Sequence, residues 1–224
     1  PRTISLTSYG EVVLAPERDD ARHPAFGKLF VRSEWIDRPA GLIFTRRPRD
    51  PEERPPVLMH RVVADSPRVD LIGFESDRRT FVGRGRDASD PVGRVRSIPE
   101  STGFTLDPVA SICVGVELPP RGVESVSFLT LAGASREAVL ETAERYQTPD
   151  AIEWVIADAA MDARRQLQRI GVDGGDLPDL QRLVSRLVCP ARYDPERSAL
   201  VRENRLGQPR LWGMGLSGDL PVLL

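Results

Sequence analysis

A chain of 224 residues can bury a substantial core, either as one large all-β domain or as a sandwich with a helical appendage. Its 31 basic and 33 acidic residues leave a formal net charge of −2, too little field to capture a phosphate polymer, so nucleic acid is not an expected partner. No run approaches the roughly 18 apolar residues of a membrane span, and no charged-then-apolar leader precedes the first strand, so this segment is not expected to insert into a bilayer.

From Arg2 to about Ala132, short apolar runs of period two are punctuated by proline, glycine and aspartate. That pattern predicts strands at Ile4–Leu14, Gly27–Ile36, Leu42–Arg46, Val57–Val63, Val69–Glu75, Ser111–Leu118 and Glu124–Leu131. Strands at this spacing, with no long amphipathic helix among them, predict an antiparallel β-sandwich rather than alternating α/β architecture. The charged, proline-rich Arg46–Pro56 reads as a hairpin loop and Gly83–Gly103 as a long loop. After Gly133 the period changes to that of helices. Ser135 can cap the first, and Thr148-Pro149 opens a second along Ile152, Ile156, Ala159, Ala163, Leu167 and Ile170, with Gly171 as its stop. A third spans about Asp179–Val188 before Pro190. The expected organisation is a sandwich over 1–133, a helical linker over 134–190 and a further segment over 191–224. The chain opens at Pro1 and closes on the apolar Pro221–Leu224, so both ends read as cut from a longer chain.

Few residues offer chemistry. Cys113 and Cys189 lie far apart in apolar stretches and read as buried thiols, which fits a reducing, cytoplasmic setting. His23 and His60 have no carboxylates or cysteines at ligand spacing, so no metal or other cofactor is expected. Ser217 follows no convincing strand and reads as a turn residue, not a nucleophile. Trp35, Trp154 and Trp212 are assigned to packing ahead of sugar stacking. Gly83-Arg84-Gly85-Arg86 matches a degenerate dinucleotide fingerprint, but Ser89-Asp90-Pro91 follows where a helix N-terminus would be needed, and a nucleotide fold is rejected. Arg84 and Arg86 can instead approach a ligand from an extended chain, and Glu75 and Asp77, two apart at a strand end, can share a face and receive sugar hydroxyls. No second carboxylate stands at the separation glycoside cleavage requires, so no catalytic residue is assigned.

Longer stretches carry a resemblance. Arg2–Ala15, His23–Phe30 and Glu75-Ser76-Asp77-Arg78-Arg79-Thr80-Phe81-Val82-Gly83-Arg84-Gly85-Arg86 resemble the sandwich region of the cyclic β-1,2-glucan synthases and of glycoside hydrolase family 94 phosphorylases, formerly glycosyltransferase family 36. Asn204–Gln208, Leu211-Trp212 and Leu216–Pro221 are similar to the opening of their helical barrel. Ser76 stands where threonine is usual. The resemblance implies a supersandwich, a helical linker and the first residues of an (α/α)6 barrel, with the general-acid carboxylate and most phosphate contacts beyond Leu224. The fragment is accordingly expected to be non-enzymatic, an accessory module holding a β-glucan oligosaccharide through Glu75, Asp77, Arg84 and Arg86. The alternative it implies is a scaffold that packs on the barrel or a second copy, as dimers of the family do, and completes a neighbouring active site. It places the parent protein at the inner membrane, with this module on the cytoplasmic side.

Overall fold

The structure, a computed structural model, describes residues 2–94, 99–188, 202–203 and 205–217. It divides into two units, Pro1–Ala157 and Asp158–Leu224.

The first unit opens with strands β1 (Arg2–Thr7) and β2 (Gly10–Glu11) and short helices α1 (Glu17–Arg22) and α2 (Pro24–Lys28). Strands β3 (Val31–Asp37), β4 (Ala40–Arg46), β5 (Val57–Val63) and β6 (Val69–Asp77) follow, then helix α3 (Arg78–Val82). Strands β7 (Gly103–Phe104), β8 (Pro108–Leu118) and β9 (Ser127–Gly133) precede helix α4 (Arg136–Arg145). All pairing is antiparallel. One sheet is built on β8, which pairs with β6 along one side and with β1 and then β2 along the other. The second has the order β7-β3-β4-β5-β9.

Alternation along the strands divides the apolar residues between layers. Leu42 and Phe44 of β4 face Phe74, Ile112, Val114 and Val116 across the sandwich, and Trp35 stacks on Phe74 with ring centroids 4.2 Å apart. Ile43, on the opposite face of β4, packs with Met59 under Val139 and Ala143 of α4. Helix α4 starts as expected, with Ser135 Oγ accepting from Ala138 N. Arg61 ties down its last turn: the guanidinium is buried, which lowers its pKa, and Nη1 donates to Ala143 O at 2.7 Å. A smaller cluster of Phe81, Val82, Val109 and Tyr9 places α3 against the first sheet.

Besides small shifts of element ends, such as β9 over Ser127–Gly133 in place of Glu124–Leu131, two departures from the sequence pattern have a local cause. The strand expected over Ile4–Leu14 breaks at Ser8, whose hydroxyl accepts from Ile112 N at 3.0 Å and meets His60 Nε2 at 2.8 Å. A side chain that takes over a ladder donor turns the backbone away from regular pairing. The strand expected from Gly27 begins only at Val31, because Pro24 initiates α2 and the capping residue His23 separates it from α1.

Helix α5 (Pro149–Arg169) contains the division between the units. It ends as expected at Gly171, where Val172 N bonds Leu167 O and Gly171 N bonds Gln168 O, a Schellman stop. The second unit continues with α6 (Leu177–Val188), which starts two residues before the expected Asp179, and α7 (Gln208–Trp212). Cys189, Pro190 and most of the segment assigned to a barrel opening lie outside the described residues.

Candidate functional site

The segment at the end of β6 is organised by its own carboxylates. Glu75 is wholly buried, and its Oε1 accepts from Ser76 N and Asp77 N, both at 2.8 Å. The ladder to β8 shifts register between Glu75 and Asp77, and the two freed backbone donors are the ones Glu75 holds. Glu75 Oε2 has no hydrogen-bond partner among the described residues. The shift also breaks the alternation that was to put Glu75 and Asp77 on one face. Asp77 caps α3 instead: it accepts from Arg79 N at 3.1 Å and from Thr80 Oγ1 at 2.9 Å.

Helix α3 is fixed by the buried side chains of Phe81 and Val82, with Phe81 stacked on Tyr9. Gly83 then turns the chain at φ +85°, and an added Cβ would lie 2.9 Å from Val92 Cγ1, so only glycine fits here. Arg84 and Arg86 emerge exposed from this turn. Arg84 forms no ion pair or hydrogen bond among the described residues, whereas Arg86 Nη1 is held 3.0 Å from Asp90 Oδ2. The expected long loop contains a short helical turn at Val92–Arg94 and leads into β7; residues 95–98 lie outside the described residues. Its far end returns to the site. Ser76 Oγ donates to Ser101 O at 2.8 Å, leaving Ser33 to donate across the 2.6 Å contact with Ser76 while it accepts from Gly103 N.

Beside α3 lies a cluster absent from the sequence reading. Arg78 Nε stands 3.1 Å from Tyr9 Oη and 3.3 Å from Glu11 Oε1, and Arg78 N donates to Asp107 O at 3.0 Å. Lys28 Nζ lies 2.7 Å from Asp107 Oδ1 and 3.8 Å from Glu11 Oε2. Burial disfavours the Lys28 ammonium, but its bond to Asp107 and the charges of Asp107, Glu11 and Asp20 outweigh burial and raise its pKa. For Tyr9 the direction is reversed: desolvation disfavours the phenolate and is the main cause of its raised pKa, against the bond from Arg78. These groups come from distant parts of the sequence, and the pairing of β2 with β8 brings them together. The available signal was Lys28, the one lysine in a chain whose other basic residues are all arginine.

The arrangement offers guanidinium and carboxylate groups at hydrogen-bonding reach of solvent, a chemistry suited to polyol hydroxyls. Among the described residues no set of three or more His, Cys, Asp or Glu is placed to hold a metal, and no helix is long and apolar enough to cross a membrane.

The sequence profile of the glycosyl hydrolase 94 supersandwich domain matches residues 1–149. The chain is similar to the cyclic beta-(1,2)-glucan synthase NdvB of Rhizobium meliloti (strain 1021), at 32% identity over 227 residues. That match covers 99% of this chain and 8% of the relative, so the chain spans a small part of the relative's length.

Proposed function

The chain belongs to the glycosyl hydrolase 94 supersandwich family, and on that premise we propose that it is a glycan-binding accessory module of a longer protein of the cyclic glucan synthase type. In this reading the module holds β-1,2-linked glucan near chemistry of the glycosyltransferase or phosphorylase kind, carried by an (α/α)6 barrel elsewhere in the parent. The parent lies at the inner membrane with the module on its cytoplasmic side.

The observation that carries the reading is the exit of α3. A capped, packed helix presents Arg84 and Arg86 to solvent across a turn that only glycine can make, and Arg84 has no internal partner among the described residues. Asp77 is half-buried and bonded to its own helix, so it supports the segment and offers its remaining lone pairs to a sugar hydroxyl. Glu75, wholly buried, acts from inside by fixing the backbone of Ser76 and Asp77. Calorimetric titration with β-1,2-gluco-oligosaccharides, with β-1,4 oligomers as control, tests the assignment. Saturable binding selective for the β-1,2 linkage is expected, weakened about tenfold by Arg84→Ala with Arg86→Ala, a loss of two charge-assisted contacts. Silence from the folded chain overturns it.

A second reading is favoured by a different observation. Trp154 and Ile156 are exposed on the first part of α5, and Ile170, Val184 and Val188 are exposed in the second unit. Apolar helix faces of this kind fit a scaffold that packs on the barrel or on a second copy and completes a neighbouring active site.

A further inference from the structure

Away from α3, the turn that leaves β8 carries an unusual residue. Pro119–Gly122 closes with Gly122 N donating to Pro119 O at 2.9 Å, and Arg121, the third residue of the turn, has φ +60°. A turn with proline second and positive φ third is one in which glycine or asparagine normally takes the third place, because a Cβ there is strained. Glycine is present, but one position later, where an added Cβ would collide with Pro119 Cγ. The chain therefore keeps a long cationic side chain at the one position of this turn where its backbone is least favourable. Strain held at a single exposed residue points to a use for its side chain.

The surroundings indicate that use. Arg2 is set by the β1–β8 ladder opposite Leu118, and it lines two adjacent clefts. The first, about 320 Å³, is shared with Pro119, Pro120, Arg121 and Gly122. The second, about 380 Å³, is shared with Arg68 and Glu117. Arg68 is committed to Glu124, with Nη1 at 2.8 Å from Oε1, and that bond is the main cause of the lowered Glu124 pKa. Arg2 and Arg121 have no acidic partner among the described residues. Glu117 makes the second cleft unfavourable for an anion, which leaves the first as a concave place with two unpaired guanidinium groups, one set by the β1–β8 ladder and the other by the turn. Guanidinium groups match the planar or tetrahedral oxygens of carboxylate, sulfate and phosphate in bidentate fashion.

We propose that Arg2 and Arg121 form an oxyanion-binding site at the Pro119–Gly122 turn, separate from the Gly83–Arg86 segment, for a phosphate, sulfate or carboxylate group, free or carried on a glycan. Thermal unfolding of the chain in increasing inorganic phosphate, at ionic strength held constant with chloride, reads the site. A saturable rise in melting temperature is expected for the wild type. Arg121→Gly relieves the strain and melts at the same temperature or higher without phosphate, yet loses the phosphate-dependent rise; Arg121→Asn, which tolerates the same φ, and Arg2→Gln lose it too. Glucose 6-phosphate set against glucose and free phosphate separates a carried group from a free one. The proposal is overturned if the Arg121→Gly rise matches the wild type, or if phosphate, sulfate and acetate all leave the wild-type transition unmoved.

Discussion

In the sandwich unit almost every large apolar residue of the central strands has a partner: Leu42, Phe44, Met59, Ile112 and Val114 are essentially without solvent exposure. In the helical unit the apolar positions of α6 recur at helical spacing, yet Leu180, Val184 and Val188 remain exposed. The same kind of sequence signal, periodic hydrophobicity, has thus been used up by packing in one region and left available in the other. A strand pair fixes its partner through backbone hydrogen bonds, so a sheet declares its neighbours within the chain; an amphipathic helix satisfies its backbone alone and declares only that one face wants covering.

That contrast can be broken most directly by core truncation. Phe44→Ala is expected to cost about 3–5 kcal/mol in denaturant unfolding of the sandwich. Val184→Ser, on an exposed position of α6, is expected to stay within about 0.5 kcal/mol of the wild type. Equal losses would mean that the α6 stripe is already covered.

Acid sharpens the comparison further, because the shifted groups that tie strands and loops together belong to the sandwich. His60 bridges the sheets, with Nε2 2.8 Å from Ser8 Oγ and Nδ1 3.0 Å from Thr130 Oγ1, and burial lowers its pKa. Its folded pKa lies below the unfolded 6.5, so the unfolded chain binds more protons and stability falls as pH drops below 6.5. Glu53 is held at about 2, chiefly by its hydrogen bonds from Arg46 and then from Arg49 N, so a second loss sets in as pH falls below 4.5 toward that value. Stability measured from pH 8 to pH 3 should therefore decline in two stages, and His60→Gln should remove the upper one. A single stage near pH 4 in the wild type would exclude the His60 contribution.

A modest loss is expected at the junction between the two kinds of element. Ser135→Ala should cost about 1 kcal/mol through the lost cap of α4, and Ser135→Gly should recover most of it. An unchanged unfolding midpoint for the alanine variant would show that the packing of Val139 and Ala143 and the bond from Arg61 hold this helix without its cap.

These regions also differ in how far they could be read beforehand. The helix starts at Ser135 and Pro149 and the stop at Gly171 were legible because caps are local: the signal and the bonded group lie within a few residues. The β-sandwich was legible from alternation. The break at Ser8 was not, since its cause is Ile112, more than a hundred residues away. Of the site, Arg84 and Arg86 could be seen as an exposed arginine turn, but Glu75 could not be separated from Asp77. Both are acids two residues apart, and only the register shift assigns one to the interior and the other to a helix cap. Tyr9, Glu11, Lys28, Arg78 and Asp107 were invisible as a group because sheet register, which no local pattern encodes, assembles them.

The place of β8 in the first sheet has a consequence for biosynthesis. Its neighbours β1, β2 and β6 all precede it, and none of them has another partner strand among the described residues. During translation β1 therefore leaves the ribosome well ahead of the strand it pairs with, which is complete only when Leu118, opposite Arg2, has followed. At roughly 5–20 residues per second, that wait is on the order of 6–25 s. Throughout it, the nascent chain carries open strand edges that the late arrival of β8 closes, and this interval is when a holding chaperone would find the most to bind.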